Sequence, residues 1–304
     1  MLVLDAGDAL FQLPSKADER AQAQARLVLA GMAEVGTAAM AVGDRDLAAG
    51  LDWLRAEAKE AGIPLLSANL ERPGGEKPFE PSVLLAVGEK QVGVIGLWAK
   101  GTLPAGLVAA DAAAAAKAEA AKLRARGAQL VVALVHGSTA EAMPLAAVEG
   151  IDLVVPAHDG QSRQPVAAPG GGWVLGAGSR GRQVLVVEVH PDGAGALADA
   201  GSADRLAREV EYVERRLAEA RKRRDGERPE LRKTYEKMVE SFEARLATLR
   251  TQVAGAGMPE GRRFRASEIS LDEHVADQPA LQARVDAFEK AHGKAEEKPH
   301  LLPR

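Results

Sequence analysis

Short apolar runs recur along roughly the first 190 positions, separated by stretches with helical spacing, and this alternation most narrows the folds open to the chain. The runs read as strands at 2–6, 38–42, 63–68, 83–87, 91–97, 130–135, 151–156, 173–176 and 183–189. Helices are expected between them, at about 18–34, 46–61, 111–126 and 141–149. Strands alternating with helices favour a mostly parallel or mixed sheet covered by helices, an α/β architecture. "VLLAV-GEK-QVGVIGL" reads as a hairpin, because a short glycine-containing turn joins two β-rich runs.

The pattern changes after "HPDGAGALADAGS". From Asp204 to Val253 glycine nearly vanishes, charges multiply, and apolar residues take coiled-coil spacing: Leu206, Val210, Val213 and Leu217, then Leu231, Tyr235, Met238, Phe242, Leu246, Leu249 and Val253. "RDGERPE" interrupts the run at Gly226 and Pro229, so two antiparallel helices forming a hairpin are expected. The seam must be buried against something: the partner helix, a second copy of the chain or another protein. The expected organisation is an α/β domain at 1–200, the hairpin at 204–253, a strand and helix at 262–292, and a disordered tail at 293–304.

Composition trims the functions that remain. With 46% hydrophobic residues in 304, the chain can fill an ordinary core, and a net charge of −4 argues against general nucleic-acid or membrane-surface binding. There are no cysteines, which removes disulfides, thiolate metal sites and a cysteine nucleophile. No stretch approaches the ~18 apolar residues of a membrane span. The compartment stays open, since a cysteine-free chain suits cytoplasm and periplasm alike.

Polar residues of interest gather where strands end, in "LDAGDALF" (4–11), "AVGDRDLAAGLDWL" (41–54), "LVVALVHG" (130–137) and "IDLVVPAHDGQ" (151–161). Strand ends are where open α/β sheets build their sites. A lone Asp after a strand is ordinarily a helix cap or turn former, and a lone His in a glycine-rich turn an ordinary hydrogen-bonded residue. Asp8, Asp44, His136 and His158 together, however, make an oxygen and nitrogen set suited to Zn²⁺, Mn²⁺ or Fe.

The order and wording of these loops resemble the calcineurin-like metallophosphoesterases, specifically the 5′-nucleotidase and UDP-sugar hydrolase branch. That family carries D-x-H, then G-D, then G-N-H-E/D, then a strand ending in His, then G-H-x-H or G-H-x-Q. Here stand "GDAL" (7–10), "GDRD" (43–46), "LVHG" (134–137) and "AHDG" (157–160), with echoes in "GIPLLSANL", "QVGVIGL" and "LGAGSRGRQVLVVEV". The resemblance covers residues 1–190 and implies a metallophosphoesterase-like α/β sandwich with mixed sheets. It also implies that the D-x-H strand lies upstream of Met1, so the chain reads as shortened at its start; a signal peptide lost with that strand would place the protein in a bacterial periplasm.

Carried over residue by residue, the resemblance makes Asp8 the bridging metal ligand, sets Asp44 in the place of the ligand Asn, and matches His136 and His158 to two His ligands of the same metal. Gly160 stands where the family has a second His or Gln, leaving neighbouring Gln161 as the candidate second-site ligand. One divalent ion (Mn, Zn or Fe) is therefore expected, and a stable two-metal centre is not. Arg45 replaces the catalytic His: it can stabilise a phosphoryl oxyanion but cannot donate a proton near neutral pH. Asp46 follows in the acidic position, and its simplest role is to cap the helix beginning near Leu47 or to pair with Arg45. The implied function is an impaired or altered metal-dependent phosphoester hydrolase acting on a small phosphate ester. The alternative is a non-catalytic binding or scaffold protein that dimerises or docks a partner through the 204–253 hairpin.

Overall fold

The computed structural model describes residues 1–13, 16–158, 164–178, 181–226, 229–257 and 259–293. Gln161, Gly160 and the tail from 294 lie outside them. The chain forms two compact units, one from residues 1–186 with the segment from Glu268 onward, the other from residues 187–267.

The first unit carries two larger sheets. Strands β1 (Val3–Asp5), β2 (Thr37–Ala41) and β3 (Leu65–Leu66) are parallel neighbours in that order. A second sheet of six strands has the order β10-β11-β9-β8-β6-β5, from β5 (Ser82–Val87), β6 (Lys90–Trp98), β8 (Leu130–His136), β9 (Leu153–Pro156), β10 (Val166–Ala167) and β11 (Trp173–Val174). It is mixed: β6, β8, β9 and β11 run parallel, while β5 and β10 pair antiparallel to their neighbours. Two further short strands, β4 (Leu70–Glu71) and β7 (Val108–Ala109), pair with each other. The β5–β6 hairpin closes at Val87↔Lys90, leaving Gly88 and Glu89 as its turn.

Helices cover both sheets. Helix α1 (Glu19–Glu34) and α2 (Leu51–Glu60) give Ala25, Leu29, Leu54 and Ala58 to a core shared with Met40, Leu10, Phe11 and Trp98. Helix α3 (Ala112–Ala125) and α4 (Thr139–Ala146) pack Ala116, Ala120, Leu123, Ala142 and Leu145 against Ile95, Val131, Ala133 and Val154. The alanine-rich face of α3 suits close packing on a sheet. The helix starts are written locally: Asp18 accepts from Ala21 N and Asp111 from Ala114 N, each side chain satisfying a free first-turn donor. The helix expected over 46–61 is instead a 3₁₀ turn at Asp46–Ala49 followed by α2, because Gly50 takes φ +96° between them. The strand expected over 63–68 keeps only two ladder residues. Beyond them Ser67 N bonds Glu80 O and Ala68 N bonds Gly96 O, so the chain leaves β2 for other partners. Helix α7 (Pro279–His292) returns to α1, where Arg20 donates to His292 O and lies over the Phe288 ring.

Strands β12 (Gln183–His190), β13 (Ala198–Asp199) and β14 (Arg263–Ser270) form a three-stranded sheet in the order β12-β14-β13. The second unit is dominated by α5 (Ser202–Arg224) and α6 (Arg232–Gly255), an α-helical hairpin. Pairs Arg221–Glu243 at 2.6 Å and Arg250–Glu214 at 2.8 Å fix the helices as antiparallel. Val213, Leu217, Ala220, Val239, Leu246 and Leu249 are buried in one cluster, so the seam is filled by the two helices themselves. No helix among the described residues is long and apolar enough to cross a membrane.

Candidate metal centre

Four strands of the first unit end at one place. Asp8 follows β1, the Gly43–Asp46 turn follows β2, His136 is the last residue of β8, and His158 follows β9. Asp8 has φ +63°, the one non-glycine residue among those described in the left-handed region. That conformation costs an ordinary side chain about 1–2 kcal/mol, so something must hold it.

The Asp8 carboxylate is the hub. Its Oδ1 accepts from Arg45 N at 3.0 Å and lies 3.7 Å from His136 Nδ1. Its Oδ2 lies 3.0 Å from His158 Nε2 and 3.7 Å from Arg45 Nε. One nitrogen from each histidine and one oxygen of Asp8 all fall within 4.8 Å of one another. Asp8 Oδ2 and His136 Nδ1 are shielded from solvent and make no hydrogen bond. A Cβ on Gly43 would lie 2.1 Å from Asp8 Oδ1, so only glycine lets the second loop approach the hub this closely.

His136 is 0% exposed and is packed rather than free. Its ring lies 4.2 Å from Trp98 and 4.9 Å from His158, centroid to centroid. Asp44 N donates to its Nε2 at 3.4 Å, and Ala99 N and Lys100 N bond its carbonyl. Burial pulls the His136 pKa below the ordinary imidazole value, against the attraction of Asp8 and Asp44, which favours the neutral, ligating ring. A carboxylate with two imidazoles in this compact set fits a divalent transition metal.

Asp44 lies beside this trio: its Oδ2 is 4.0 Å from His136 Nε2 and accepts from Thr102 N at 3.4 Å. Arg45 is 43% exposed at its side chain and presents its guanidinium at the hub. Asp46 turns the other way. It is 0% exposed, and it accepts from the backbone N–H groups of Asp8, Gly43 and Leu10, so its carboxylate braces two loops and does not cap the 3₁₀ turn, whose N-cap residue is Arg45. Burial pushes its pKa up, while the N–H groups of Gly43 and Asp8 pull it down by favouring the ionised carboxylate, the form that can accept all three bonds. Gln161 lies outside the described residues.

Sequence reasoning passed over the turn after β6. Trp98 backs His136, Thr102 binds Asp44, and Gly101 sits so close that a Cβ there would lie 2.5 Å from His136 Nε2. The available signal was that "GLWAKGT" also ends an apolar strand; it holds no acid or imidazole and so drew no attention.

No protein-family model matches this sequence, and no curated protein matches it. Solved structures do. A sulfate thiohydrolase, SoxB, from Thermus thermophilus aligns over 62% of this chain and 35% of its own, with 24% identity and a TM-score of 0.54. A 5′-nucleotidase precursor from Thermus thermophilus aligns over 62% of this chain and 42% of its own, with 25% identity and a TM-score of 0.52. The calcineurin-like phosphoesterase YfkN from Bacillus subtilis aligns over 64% of this chain and 73% of its own, with 21% identity and a TM-score of 0.50. The chain thus spans less than half the length of the first two.

Proposed function

From the premise that 62% of this chain carries the metallophosphoesterase fold of the 5′-nucleotidase kind, we propose that it is a metal-dependent phosphoester hydrolase with an altered site, holding one divalent ion through Asp8, His136 and His158. The observation that carries this reading is the convergence of Asp8, His136 and His158, which bring one carboxylate oxygen and two imidazole nitrogens within 4.8 Å of one another. A divalent ion bound there supplies Lewis acidity and a water of lowered pKa. Asp44 stays close enough to His136 to orient its ring or to complete the ligand set.

Arg45 gives the site its altered character. Its guanidinium stays charged near neutral pH, so it offers charge and two-pronged hydrogen bonds to phosphoryl oxygens but no proton to a leaving oxygen. When the P–O bond breaks, the leaving group departs as an anion. Esters of acidic alcohols, such as 4-nitrophenyl phosphate, should therefore be cleaved well ahead of simple alkyl phosphates.

The test is metal content by mass spectrometry after loading with Mn²⁺ or Zn²⁺ and gel filtration, with His136→Ala/His158→Ala alongside, followed by turnover of both ester classes. About one ion per chain, absent from the double variant, with the aryl ester turned over well ahead of the alkyl ester, is the expected outcome. Equal metal in both proteins, or turnover that needs no metal, would overturn the proposal.

A further inference from the structure

We infer that Asp46 is a positioning residue that presets the metal hub: its buried carboxylate clamps the Asp8 loop to the Gly43 turn and holds Asp8 in the left-handed conformation that aims its carboxylate at His136 and His158. This inference rests on the one-ion reading above.

The bonds carry it. Asp46 Oδ2 accepts from Asp8 N at 2.8 Å and from Gly43 N at 2.9 Å, and Oδ1 accepts from Leu10 N at 3.2 Å. The grip is reciprocal, since Asp8 Oδ1 accepts from Arg45 N at 3.0 Å, one residue before Asp46. Two loops separated by more than 30 positions are thereby locked by three bonds through two carboxylates, and the Gly43 bond braces the second loop itself. A left-handed Asp8 whose N–H was free could relax to an ordinary conformation and swing its carboxylate off the histidines. With its N–H held by Asp46, and Leu10 N held two residues later, it cannot turn without breaking the clamp.

Chemistry explains why an acid is needed. A carboxylate presents acceptors on both oxygens, whereas an amide presents one oxygen and one N–H₂ group. In Asp46→Asn the amide nitrogen must face either Leu10 N–H or the Asp8 and Gly43 N–H groups, donor against donor. The hub would keep all its ligands and lose their arrangement.

The probe is Co²⁺ alone, titrated by its visible absorption into wild type, Asp46→Asn and Asp152→Asn. Asp152 is a matched control: a buried carboxylate bonded to Val131 N at 2.8 Å and to Arg124, and no part of the site. Asp46→Asn is expected to bind Co²⁺ 10- to 100-fold more weakly with an altered spectrum, the usual cost of losing the support behind a ligand. Asp152→Asn is expected to lose thermal stability and keep both affinity and spectrum. An Asp46→Asn protein with wild-type affinity and spectrum would overturn the inference. Wild type that binds no Co²⁺ would instead overturn the metal-site reading. Should Asp46→Asn fail to fold, amide hydrogen exchange of wild type decides: Asp8, Leu10 and Gly43 are expected to be strongly protected, and rapid exchange at these three amides would refute the clamp.

Discussion

Asn69→Ala is the perturbation whose consequence the structure fixes most tightly. Asn69 is fully buried and makes three side-chain hydrogen bonds, donating to Trp98 O at 2.8 Å and Ala110 O at 2.9 Å and accepting from Trp98 N at 2.8 Å. Alanine removes all three and leaves both main-chain groups of buried Trp98 without that partner. At about 1 kcal/mol for each net bond and about 1–2 kcal/mol more for stranded polar groups, the loss comes to about 4–5 kcal/mol. Urea unfolding followed by tryptophan emission reads it directly, because all three tryptophans, Trp53, Trp98 and Trp173, lie in the first unit. The midpoint should fall with the slope unchanged. Since the Trp98 ring backs His136 at 4.2 Å, Co²⁺ affinity should fall as well. A destabilisation under about 1 kcal/mol would refute the reasoning, since it would mean that water or a relaxed backbone replaces every bond Asn69 makes.

The other consequences are simpler to read. The α4 capping box joins Ser138 to Glu141, and hydrogen bonds from the Ser138 hydroxyl and backbone N–H, with help from Lys100, hold the Glu141 pKa down to about 2. A depressed carboxyl contributes stability above its unfolded value of 4.5 that is lost as pH falls through about 2. The stability gap between wild type and Glu141→Ala, followed by urea unfolding, should therefore be flat near neutral pH and close in acid; a gap that widens in acid would contradict the assignment. In the second unit, Leu249→Ala opens a cavity at a 0% exposed seam position and should cost that hairpin about 3 kcal/mol, seen as lower helicity on heating. Metal content should not change, because the ligands all lie in the first unit.

Much of this molecule is written locally, and those parts were legible. Strands and helices follow from apolar spacing, and the α5–α6 hairpin from its coiled-coil seam and the break near Gly226. Such signals act over a few residues, so one sequence suffices to see them. The sequence also determined that polar residues would gather at the strand ends, because parallel strands deliver their carboxyl ends to one edge.

What the tertiary structure alone decided is which side chains meet there. Asp8, His136 and His158 converge while Asp44 stands 4.0 Å from His136 Nε2, a distinction set by backbone angles that no spacing records. Asp46 looks like a cap or an ion-pair partner in the sequence, and becomes a brace because its acceptors find N–H donors at Asp8 and Leu10, far away along the chain. The strand expected at 63–68 shortens for the same reason: periodicity states that a residue can join a ladder, and only the packed sheets determine whether a neighbour is there to pair with it.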